Sequence, residues 1–418
     1  MPSTRRAYLR GVTLGSVAGT AALAGCFGFP TSSPESMLAR SAPFPTVGDR
    51  DWPAPRTGPR NSGHPGAVGP GNAPGLSWRR EIDDDALVRA QPVVASEDLF
   101  VVDDRDGTLH CLAVADGGTR WTVPVGSRGE AVAPTVTDGA VYLPAGPTLR
   151  RLDREGDEGW HVDVAGAVRG VTAGAERLFV AAADGETGIH ALDPATGRRL
   201  WGVETDPALT PPAYADDRVV VGDAGGTVRC LDAATGAVHW EATVPDGGIR
   251  AAPLLIDRTA FVGSGTADAA GGHLAAYDLL TGTELWTVDV GAAVSSVAGS
   301  GRRLFVADDG GTLRRFGTDF PRPDWTFSPL GPFEGASTVP PDFAPAVSNG
   351  LVTYAGPDGR VYVIETDAGG DGDGNEGESV GARFVADIEA TGPPTVAGDA
   401  AFVATTEGVV AIGRRSDD

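Results

Sequence analysis

The stretch Asp193-Pro194-Ala195-Thr196-Gly197-Arg198-Arg199-Leu200-Trp201 decides the fold of this 418-residue chain, because its pattern returns twice at the same spacing. The pattern is an aspartate, a glycine four residues later and a tryptophan four residues after that. It recurs as Asp232, Gly236 and Trp240, and as Asp278, Gly282 and Trp286. Tryptophans continue the rhythm at intervals of 39 to 46 residues: Trp78, Trp121, Trp160, Trp201, Trp240, Trp286 and Trp325. Such a period is typical of the four-stranded blade of a β-propeller.

Short apolar strands and tight turns fill the interval between successive tryptophans. Turns such as Asp106-Gly107 supply the positive φ angles that two-residue hairpins need. Six units end at a tryptophan, from Trp121 to Trp325. A seventh unit begins at about Ala344, and we expect Phe384 to take the tryptophan position there.

The two ends of the repeat region complement each other. The last three strands, within residues 394–413, lack a fourth strand, whereas Leu76-Ser77-Trp78 is a fourth strand without its three partners. Joining them gives an eighth blade and pairs the strand edges that an open array would expose. We therefore predict an all-β, eight-bladed β-propeller of four-stranded antiparallel blades, closed by pairing of the N-terminal strand with the C-terminal blade.

The Asp-Gly-Trp spacing resembles the tryptophan-docking motif of pyrroloquinoline quinone (PQQ)-type propellers, and the resemblance extends from Trp52 to Gly413. It implies the fold of the quinoprotein dehydrogenases. In that motif the indole ring packs on the glycine-containing turn. Glycine is required there because a β-carbon would hold the ring away from the backbone.

The charge balance argues against one class of partner. Asp and Glu number 56 against 33 basic residues, all of them arginine, which gives a formal net charge of -23. This composition resembles that of proteins from salt-loving archaea, where concentrated salt screens the repulsion between acidic groups. So large a negative charge argues against binding to nucleic acid.

The N-terminal segment has the features of an export signal. Arg5 and Arg6 precede an apolar, small-residue stretch at 11–25, an order typical of twin-arginine signals. The stretch ends in Leu23-Ala24-Gly25-Cys26, which looks like a lipobox. We therefore expect a signal peptide at 1–25 and a lipid on Cys26. The lipid would anchor the protein to the outer face of the cytoplasmic membrane.

The rest of the chain divides by composition. Residues 26–50 are rich in Pro, Ser and Ala and are predicted to form a flexible tether. Residues 51–75 resemble the lead-in segment of PQQ-like repeat proteins of halophilic archaea, and we expect them to lie against the propeller. The propeller itself is assigned to 76–413, and 414–418 to a tail.

Candidate catalytic and metal-binding residues are scarce. The chain has no adjacent cysteine pair, which quinoprotein alcohol dehydrogenases place over the quinone and a calcium ion, and no haem or zinc motif. Cys111 and Cys230 occupy equivalent third-strand positions and are predicted to be small buried thiols. The acidic stretch 367–378 has part of a calcium-loop pattern, but Glu376 and Ala382 stand where that loop needs Gly and Glu. We interpret the stretch as a surface insertion and expect no metal site.

Two functions remain open from the sequence. The first is a non-catalytic, monomeric propeller lipoprotein that needs no cofactor and binds envelope proteins, similar in plan to the BamB-like assembly factors of the bacterial outer membrane. The second is a quinoprotein oxidoreductase of the alcohol or sugar dehydrogenase type, with PQQ and calcium in the axial funnel. The missing cysteine pair favours the first.

Overall fold

The structure, a computed structural model, describes residues 51–413 except for short stretches. The stretches left out are 68, 72–73, 83–86, 127–131, 184–186, 206–208, 246, 266–270, 320–321, 330–343, 368–377 and 383. Within the described residues the strands form eight antiparallel sheets, and a short 3-10 turn spans Pro55–Thr57.

Four successive strands build each of the first four sheets, which we call blades 1 to 4. The chain begins with β1 (Gly75–Glu81), which belongs to the last blade. Blade 1 is β2 (Val93–Ala95), β3 (Asp98–Asp103), β4 (Thr108–Ala113) and β5 (Thr119–Pro124); blade 2 is β6 (Thr135–Thr137), β7 (Ala140–Ala145), β8 (Thr148–Leu152) and β9 (Glu158–Asp163). Blade 3 is β10 (Ala167–Ala173), β11 (Leu178–Ala183), β12 (Gly188–Leu192) and β13 (Arg199–Glu204); blade 4 is β14 (Ala213–Ala215), β15 (Arg218–Gly222), β16 (Thr227–Asp232) and β17 (Val238–Thr243).

Blades 5 to 8 follow the same plan, with one additional strand in blade 6. Blade 5 is β18 (Leu254–Ile256), β19 (Thr259–Gly263), β20 (His273–Asp278) and β21 (Glu284–Asp289); blade 6 is β22 (Val294–Ser300), β23 (Arg303–Asp308), β24 (Leu313–Gly317), β25 (Pro323–Phe327) and β29 (Glu378–Ser379). Blade 7 is β26 (Ala346–Ser348), β27 (Leu351–Ala355), β28 (Arg360–Glu365) and β30 (Phe384–Asp387); blade 8 is β31 (Thr395–Ala397), β32 (Ala400–Ala404), β33 (Gly408–Gly413) and β1.

The eighth blade closes the ring as the sequence predicted. Strand β1 pairs antiparallel with β33, with Trp78 opposite Ala411 and Arg80 opposite Val409. The first strands of neighbouring blades also contact one another around the axis, including β31 with β2. The eight-bladed, closed propeller is therefore confirmed, and the pairing removes the open edges of a linear array.

The core lies between the blades rather than at one centre. In blade 3, for example, the second and third strands are wholly buried, whereas the outer strand exposes alternate residues. One apolar cluster, for example, joins Phe100 and Leu109 of blade 1 to Val141 and Leu152 of blade 2. Each blade therefore needs its neighbours to bury its apolar faces.

Blades 6 and 7 depart from the simple repeat. Phe384 pairs with Val363, the ladder position that corresponds to Cys111 opposite Trp121 in blade 1. After the acidic insertion, β29 pairs in parallel with β25, so that Glu378 lies opposite Trp325. The sequence did not predict this fifth strand, because two residues without apolar alternation give no strand signal.

The two described cysteines have the predicted character. Cys111 and Cys230 are free and buried. Burial raises the pKa of each thiol to about 12. Both thiols therefore remain protonated and unreactive at neutral pH. Among the described residues, no helix has the length and apolar character needed to cross a membrane.

Candidate functional site

Every blade except blade 7 places an indole ring in the seam with the next blade. The rings lie against the glycine of the next blade's turn: Trp160 on Gly197, Trp201 on Gly236 and Trp240 on Gly282. A β-carbon on Gly282 would lie 2.6 Å from Cγ of Trp240. Its φ of 71° is also in the left-handed region that favours glycine. Backbone conformation and ring packing therefore both require glycine at this position.

Hydrogen bonds reinforce the same seams. The indole N–H of each of the seven seam tryptophans, from Trp78 to Trp325, donates to a backbone carbonyl of the next blade's turn, with N···O distances of 2.9 to 3.4 Å. The acceptors are, in order, Val114, Arg154, Pro194, Ala233, Leu279, Thr318 and Thr366. One sequence motif thus serves two seams. Its aspartate and glycine receive the preceding blade's ring, and its tryptophan contacts the following blade.

The motif aspartates stabilise the turns on which the rings lie. Oδ1 of Asp193 accepts hydrogen bonds from the backbone N–H groups of Ala195 and Thr196, at 2.9 and 3.1 Å. Asp232 and Asp278 accept equivalent bonds from their own turns. Backbone N–H donors lower the pKa of Asp193 and Asp278, and the Thr235 hydroxyl is the largest cause of the lowered pKa of Asp232. The aspartates therefore stabilise the turns on which the indole rings pack.

A second aromatic residue supports most of the indole rings, and the motif search missed it. Phe179 packs on Trp201 with 6.0 Å between ring centroids, and Phe100 packs on Trp121 at 5.9 Å. In blade 4 the equivalent second-strand residue is Val220, and Trp240 packs instead on Tyr277 of blade 5. An aromatic residue about 20 positions before five of the tryptophans was the signal available in the sequence.

The lead-in segment winds once around the axis inside the ring of first strands. Its carbonyl oxygens accept hydrogen bonds from backbone N–H groups that face the axis, at 2.5 to 3.0 Å. In chain order the pairs are Trp52 with Val94, Pro53 with Val136, Pro59 with Tyr214, Arg60 with Leu255, Ser62 with Gly299 and Gly63 with Val347. These contacts join blades 1, 2, 4, 5, 6 and 7, and Gly69 N–H donates to Gly398 O of blade 8. We call residues 52–69 the axial ring.

Side chains hold the axial ring in place at several points. The Asn61 amide donates to the carbonyls of Pro212 and Pro253, which belong to different blades. The guanidinium of Arg56 donates to Val297 O at 3.2 Å. Arg56 and Asn61 have left-handed φ angles of 60° and 54°, although neither is glycine. Such backbone conformations at buried positions are common where a protein binds ligands or other segments.

A cavity of about 350 Å³ lies directly above the axial ring. Its walls come from residues at or just before the first strands of blades 1, 2, 4 and 8 and from residues 169–173 within β10 of blade 3, and its floor comes from the axial ring. We call this cavity the axial pocket, and the face on which it lies the upper face. The described charged residues of its lining are Arg56, Arg89, Arg169 and Asp104.

Most neutral polar groups of the axial pocket already bind the framework. Gln91 accepts from Arg56 N–H and donates to Pro394 O, at 3.0 and 2.8 Å. The hydroxyls of Thr135 and Thr172 donate to carbonyls of the neighbouring blades, Val171 O and Pro212 O, each at 2.7 Å. The charged groups are engaged as well, since Arg56 donates to Val297 O and Arg89 pairs with Asp104.

The described lining does not match a quinone with calcium. Calcium prefers six to eight oxygen ligands with several carboxylates. Here the one carboxylate in the described lining, Asp104, pairs with Arg89 at 3.5 Å. The same lining presents no aromatic ring on which a planar quinone could stack. Elsewhere in the described parts of the chain, no three His, Cys, Asp or Glu side chains come together as a metal site.

Several predicted site residues lie outside the described residues. These are Arg5 and Arg6 of the export signal, the lipidation residue Cys26, and the tail at 414–418. The tether at 26–50 and most of the acidic insertion, including the calcium-like positions Asp371, Asp373 and Asn375, also lie outside them. These interpretations stay predictions.

Blade topology, tryptophan docking and closure together define an eight-bladed propeller of the PQQ-like repeat class. The model of the family described as outer membrane protein assembly factor BamB (PQQ_2) matches residues 72–201 and 185–418. These matches cover well over half of the chain, and the protein therefore belongs to this family.

Curated relatives share only part of their length with this chain. The serine/threonine-protein kinase AfsK of Streptomyces coelicolor is 32% identical over 227 residues, which is 51% of this chain and 25% of the kinase. The outer membrane protein assembly factor BamB of Xanthomonas campestris pv. campestris is 30% identical over 181 residues, 40% of this chain and 44% of that protein. The chain thus spans less than half the length of either relative.

Solved structures extend the similarity of fold to both functional classes considered above. BamB from Moraxella catarrhalis aligns with a TM-score of 0.63 at 16% identity, covering 81% of this chain and 99% of that one. Quinohemoprotein alcohol dehydrogenase from Comamonas testosteroni aligns with a TM-score of 0.68 at 13% identity, covering 91% and 82%. At these identities the alignments show a shared fold alone.

Proposed function

We propose that this protein is a non-catalytic propeller that binds protein partners at the cell envelope, outside the cytoplasm. The observation that carries the proposal is the axial pocket, whose described charged residues are three arginines and one aspartate that pairs with Arg89, beside an axial ring that hydrogen-bonds to seven blades. Membership of the BamB family supports an assembly or scaffold role. A fold alone does not define function, so the proposal depends on this site.

The location in the cell follows from the N-terminal signals. We propose twin-arginine export directed by Arg5 and Arg6, and a lipid anchor on Cys26 that holds a monomer at the outer face of the cytoplasmic membrane. The acidic, lysine-free composition supports work in concentrated salt. Replacing Cys26 with serine is expected to release the exported protein from the membrane fraction. Replacing Arg5 and Arg6 with lysine is expected to leave it inside the cell.

Cross-linking in intact cells tests the partner-binding role. The wild-type protein is expected to form a defined cross-linked complex with an envelope protein that is also recovered when the propeller is purified by a tag. A matched control is a secreted propeller that lacks the lipid anchor and has a different upper face. Equal recovery of the same envelope protein with both baits would contradict specific binding.

The alternative that stays open is a PQQ-dependent oxidoreductase of the alcohol or sugar dehydrogenase type, a class that includes proteins of the same fold. Titration of the purified protein with PQQ and calcium, followed by dye-linked oxidation of alcohols and sugars, separates the two functions. Saturable quinone binding with substrate turnover would establish the oxidoreductase. Our proposal predicts neither binding nor turnover.

A further inference from the structure

Five of the seam tryptophans pack on a phenylalanine in the second strand of their own blade, and we call these contacts the Phe–Trp pairs. The distances between ring centroids are 5.8 to 6.0 Å. The pairs are Phe100–Trp121, Phe179–Trp201, Phe261–Trp286, Phe305–Trp325 and Phe402–Trp78. Three of them carry another side chain of the protein, whereas the other two border cavities.

Arg154 covers the pair in the seam between blades 1 and 2. Its guanidinium lies over the Phe100 ring, with 5.5 Å from Cζ to the ring centroid. The same group donates to the Ala95 carbonyl at 2.8 Å and to the Asp98 carboxylate at 2.7 Å. A guanidinium is attracted both to the negative face of the ring and to the carboxylate. This seam therefore contains a complete binding site for an arginine side chain.

Two further Phe–Trp pairs are also in contact with another side chain. Tyr214 packs on Phe179 with 5.2 Å between ring centroids. Arg315 lies over the Trp325 ring, with 5.8 Å from Cζ to the centroid, and Trp325 is fully buried. Of the three covered pairs, two thus carry an arginine.

Two equivalent cavities lie beside the remaining pairs. Phe261 and Trp286 line a cavity of about 320 Å³, and Phe402 and Trp78 line one of about 350 Å³. We call them the seam-5 groove and the seam-8 groove, after the blade that supplies the rings. The described lining of neither groove includes an arginine.

The residue at the position of Arg154 accounts for the difference between the seams. The backbone carbonyl of Arg154 accepts the indole N–H bond in its seam. Thr318 accepts the equivalent bond at the seam-5 groove, and Val114 accepts it at the seam-8 groove. Both residues line their grooves with short side chains, which cannot reach over the phenylalanine ring as arginine does.

The grooves keep the backbone acceptor that Arg154 uses. Ala95 is the last residue of the first strand in blade 1, and Ile256 and Ala397 are the last residues of the first strands in blades 5 and 8. Ile256 and Ala397 line the seam-5 and seam-8 grooves. Each groove therefore has both the aromatic rings and a carbonyl at the position of the Ala95 acceptor.

Carboxylates give both grooves the charge that suits a cation. Asp257 and Asp319 line the seam-5 groove, where Asp319 already pairs with Arg302. Asp51 and Asp399 line the seam-8 groove. Asp257 and Asp399 are exposed and can be reached by a ligand from outside. The acidic groups and the ring faces together favour a guanidinium over a neutral or anionic group.

We propose that the seam-5 and seam-8 grooves each bind an arginine side chain of the envelope partner, stacked on the phenylalanine ring and paired with Asp257 or Asp399. This inference rests on the proposed function, since it names the surface at which the partner binds. The Arg154 contacts within the same protein select arginine as the occupant. Leu285, which is 52% exposed and lines the seam-5 groove, packs along the aliphatic part of the bound side chain.

The test uses the purified protein and a photoreactive probe, acetyl-Gly-Arg-Gly-amide that carries a diazirine. A matched probe contains citrulline, in which a neutral urea of the same shape replaces the guanidinium. After irradiation, mass spectrometry locates the labelled residues. The arginine probe is expected to label residues 254–261 and 395–402. The citrulline probe is expected to label them about 10-fold less, the effect of losing one stacked and paired charge.

Two variants fill the grooves from within. Thr318→Arg and Val114→Arg place an arginine at the position of Arg154, where it would occupy the seam-5 or the seam-8 groove. Each variant is expected to lose labelling of its own groove by about 10-fold and to keep labelling of the other, which also shows that the propeller is folded. Val238→Arg adds the same charge at a position that is 47% exposed in blade 4, and it is expected to change neither.

Three outcomes would overturn the proposal. These are equal labelling by the arginine and citrulline probes, labelling of neither groove, and undiminished labelling of both grooves in the two filled variants. Each of them would show that the grooves do not select a guanidinium group.

Cross-linking in intact cells reports separately on the scaffold role. The double variant Thr318→Arg/Val114→Arg is expected to lose the complex with the envelope protein. If the double variant keeps that complex, the scaffold role stands, and the grooves are not its docking surface. An absence of any complex with the wild type would instead contradict the proposed function itself.

Discussion

The contact between Trp240 and Gly282 permits a quantitative test of tryptophan docking. In Gly282→Ala the new β-carbon would lie 2.6 Å from Cγ and Cδ2 of Trp240 and 2.8 Å from its Cβ. Because the crowded atoms lie close to the tryptophan backbone, rotation of the ring gives little relief. Overpacking of this kind costs about 1–3 kcal/mol. The left-handed φ of 71° adds about 1–2 kcal/mol for any residue with a β-carbon.

Gly350→Ala is the matched control for this substitution. Gly350 has a similar φ of 79°, but a β-carbon there would meet nothing within 4 Å. We therefore expect a loss of about 1–2 kcal/mol in Gly350→Ala and about 2–5 kcal/mol in Gly282→Ala. The difference between them measures the ring contact alone.

Denaturant unfolding, followed by circular dichroism and tryptophan fluorescence, provides the measurement. If the two signals change at the same denaturant concentration, unfolding can be analysed as a single two-state transition. If both variants lose the same free energy of unfolding, the ring does not press on the turn, and the reasoning about the seams is refuted.

Three further predictions concern the thiols, the turn aspartates and the closure. Burial raises the pKa values of Cys111 and Cys230 to about 12. A thiol reagent at pH 8 is therefore expected to modify neither cysteine until denaturant unfolds the chain. Rapid modification of the native protein would contradict this prediction. The lowered pKa of Asp232 means that its turn contributes stability above the ordinary carboxyl pKa of about 4 and loses it as pH falls through the lowered value. Asp232→Asn is accordingly expected to flatten the acid branch of a plot of unfolding midpoint against pH, and an unchanged slope would argue against the coupling. A β-carbon on Gly408 would lie 2.2 Å from the carbonyl oxygen of Arg80 across the closing pair of strands. Gly408→Ala is therefore expected to weaken the pairing of β1 with β33 and to speed proteolysis at β1. Unchanged protection of β1 in hydrogen exchange would show that the closure tolerates the added methyl group.

The blade count and closure could be predicted from the sequence, because the tryptophan spacing repeats and the two termini supply complementary strands. Phe384 was placed correctly in the ladder despite the insertion before it, since the outer strand must pair with β28 whatever the length of the connection. The glycine on which each indole ring packs was harder to predict. The motif does not show that Trp201 serves Gly236 of the next blade rather than Gly197 of its own.

The axial pocket could not be predicted for a different reason. Arg56, Arg89 and Arg169 belong to no repeated pattern and come together only because the blades converge on one axis. The winding of residues 52–69 depends on single carbonyl groups, which any residue type provides. Sequence periodicity reports on the surfaces that blades share, and it carries little information about a segment that contacts each blade once.

The winding of residues 52–69 also determines how the molecule bears mechanical load. A force applied to the chain ahead of Asp51 would reach the protein at its hub, where Trp52 and Val94 exchange two backbone hydrogen bonds. The outer strand β1, whose pairing with β33 closes the rim, begins only at Gly75. A pulling force from the N-terminal side must therefore break the hydrogen bonds of the hub in sequence, one blade at a time, before the force acts on the pairing of β1 with β33 at the rim.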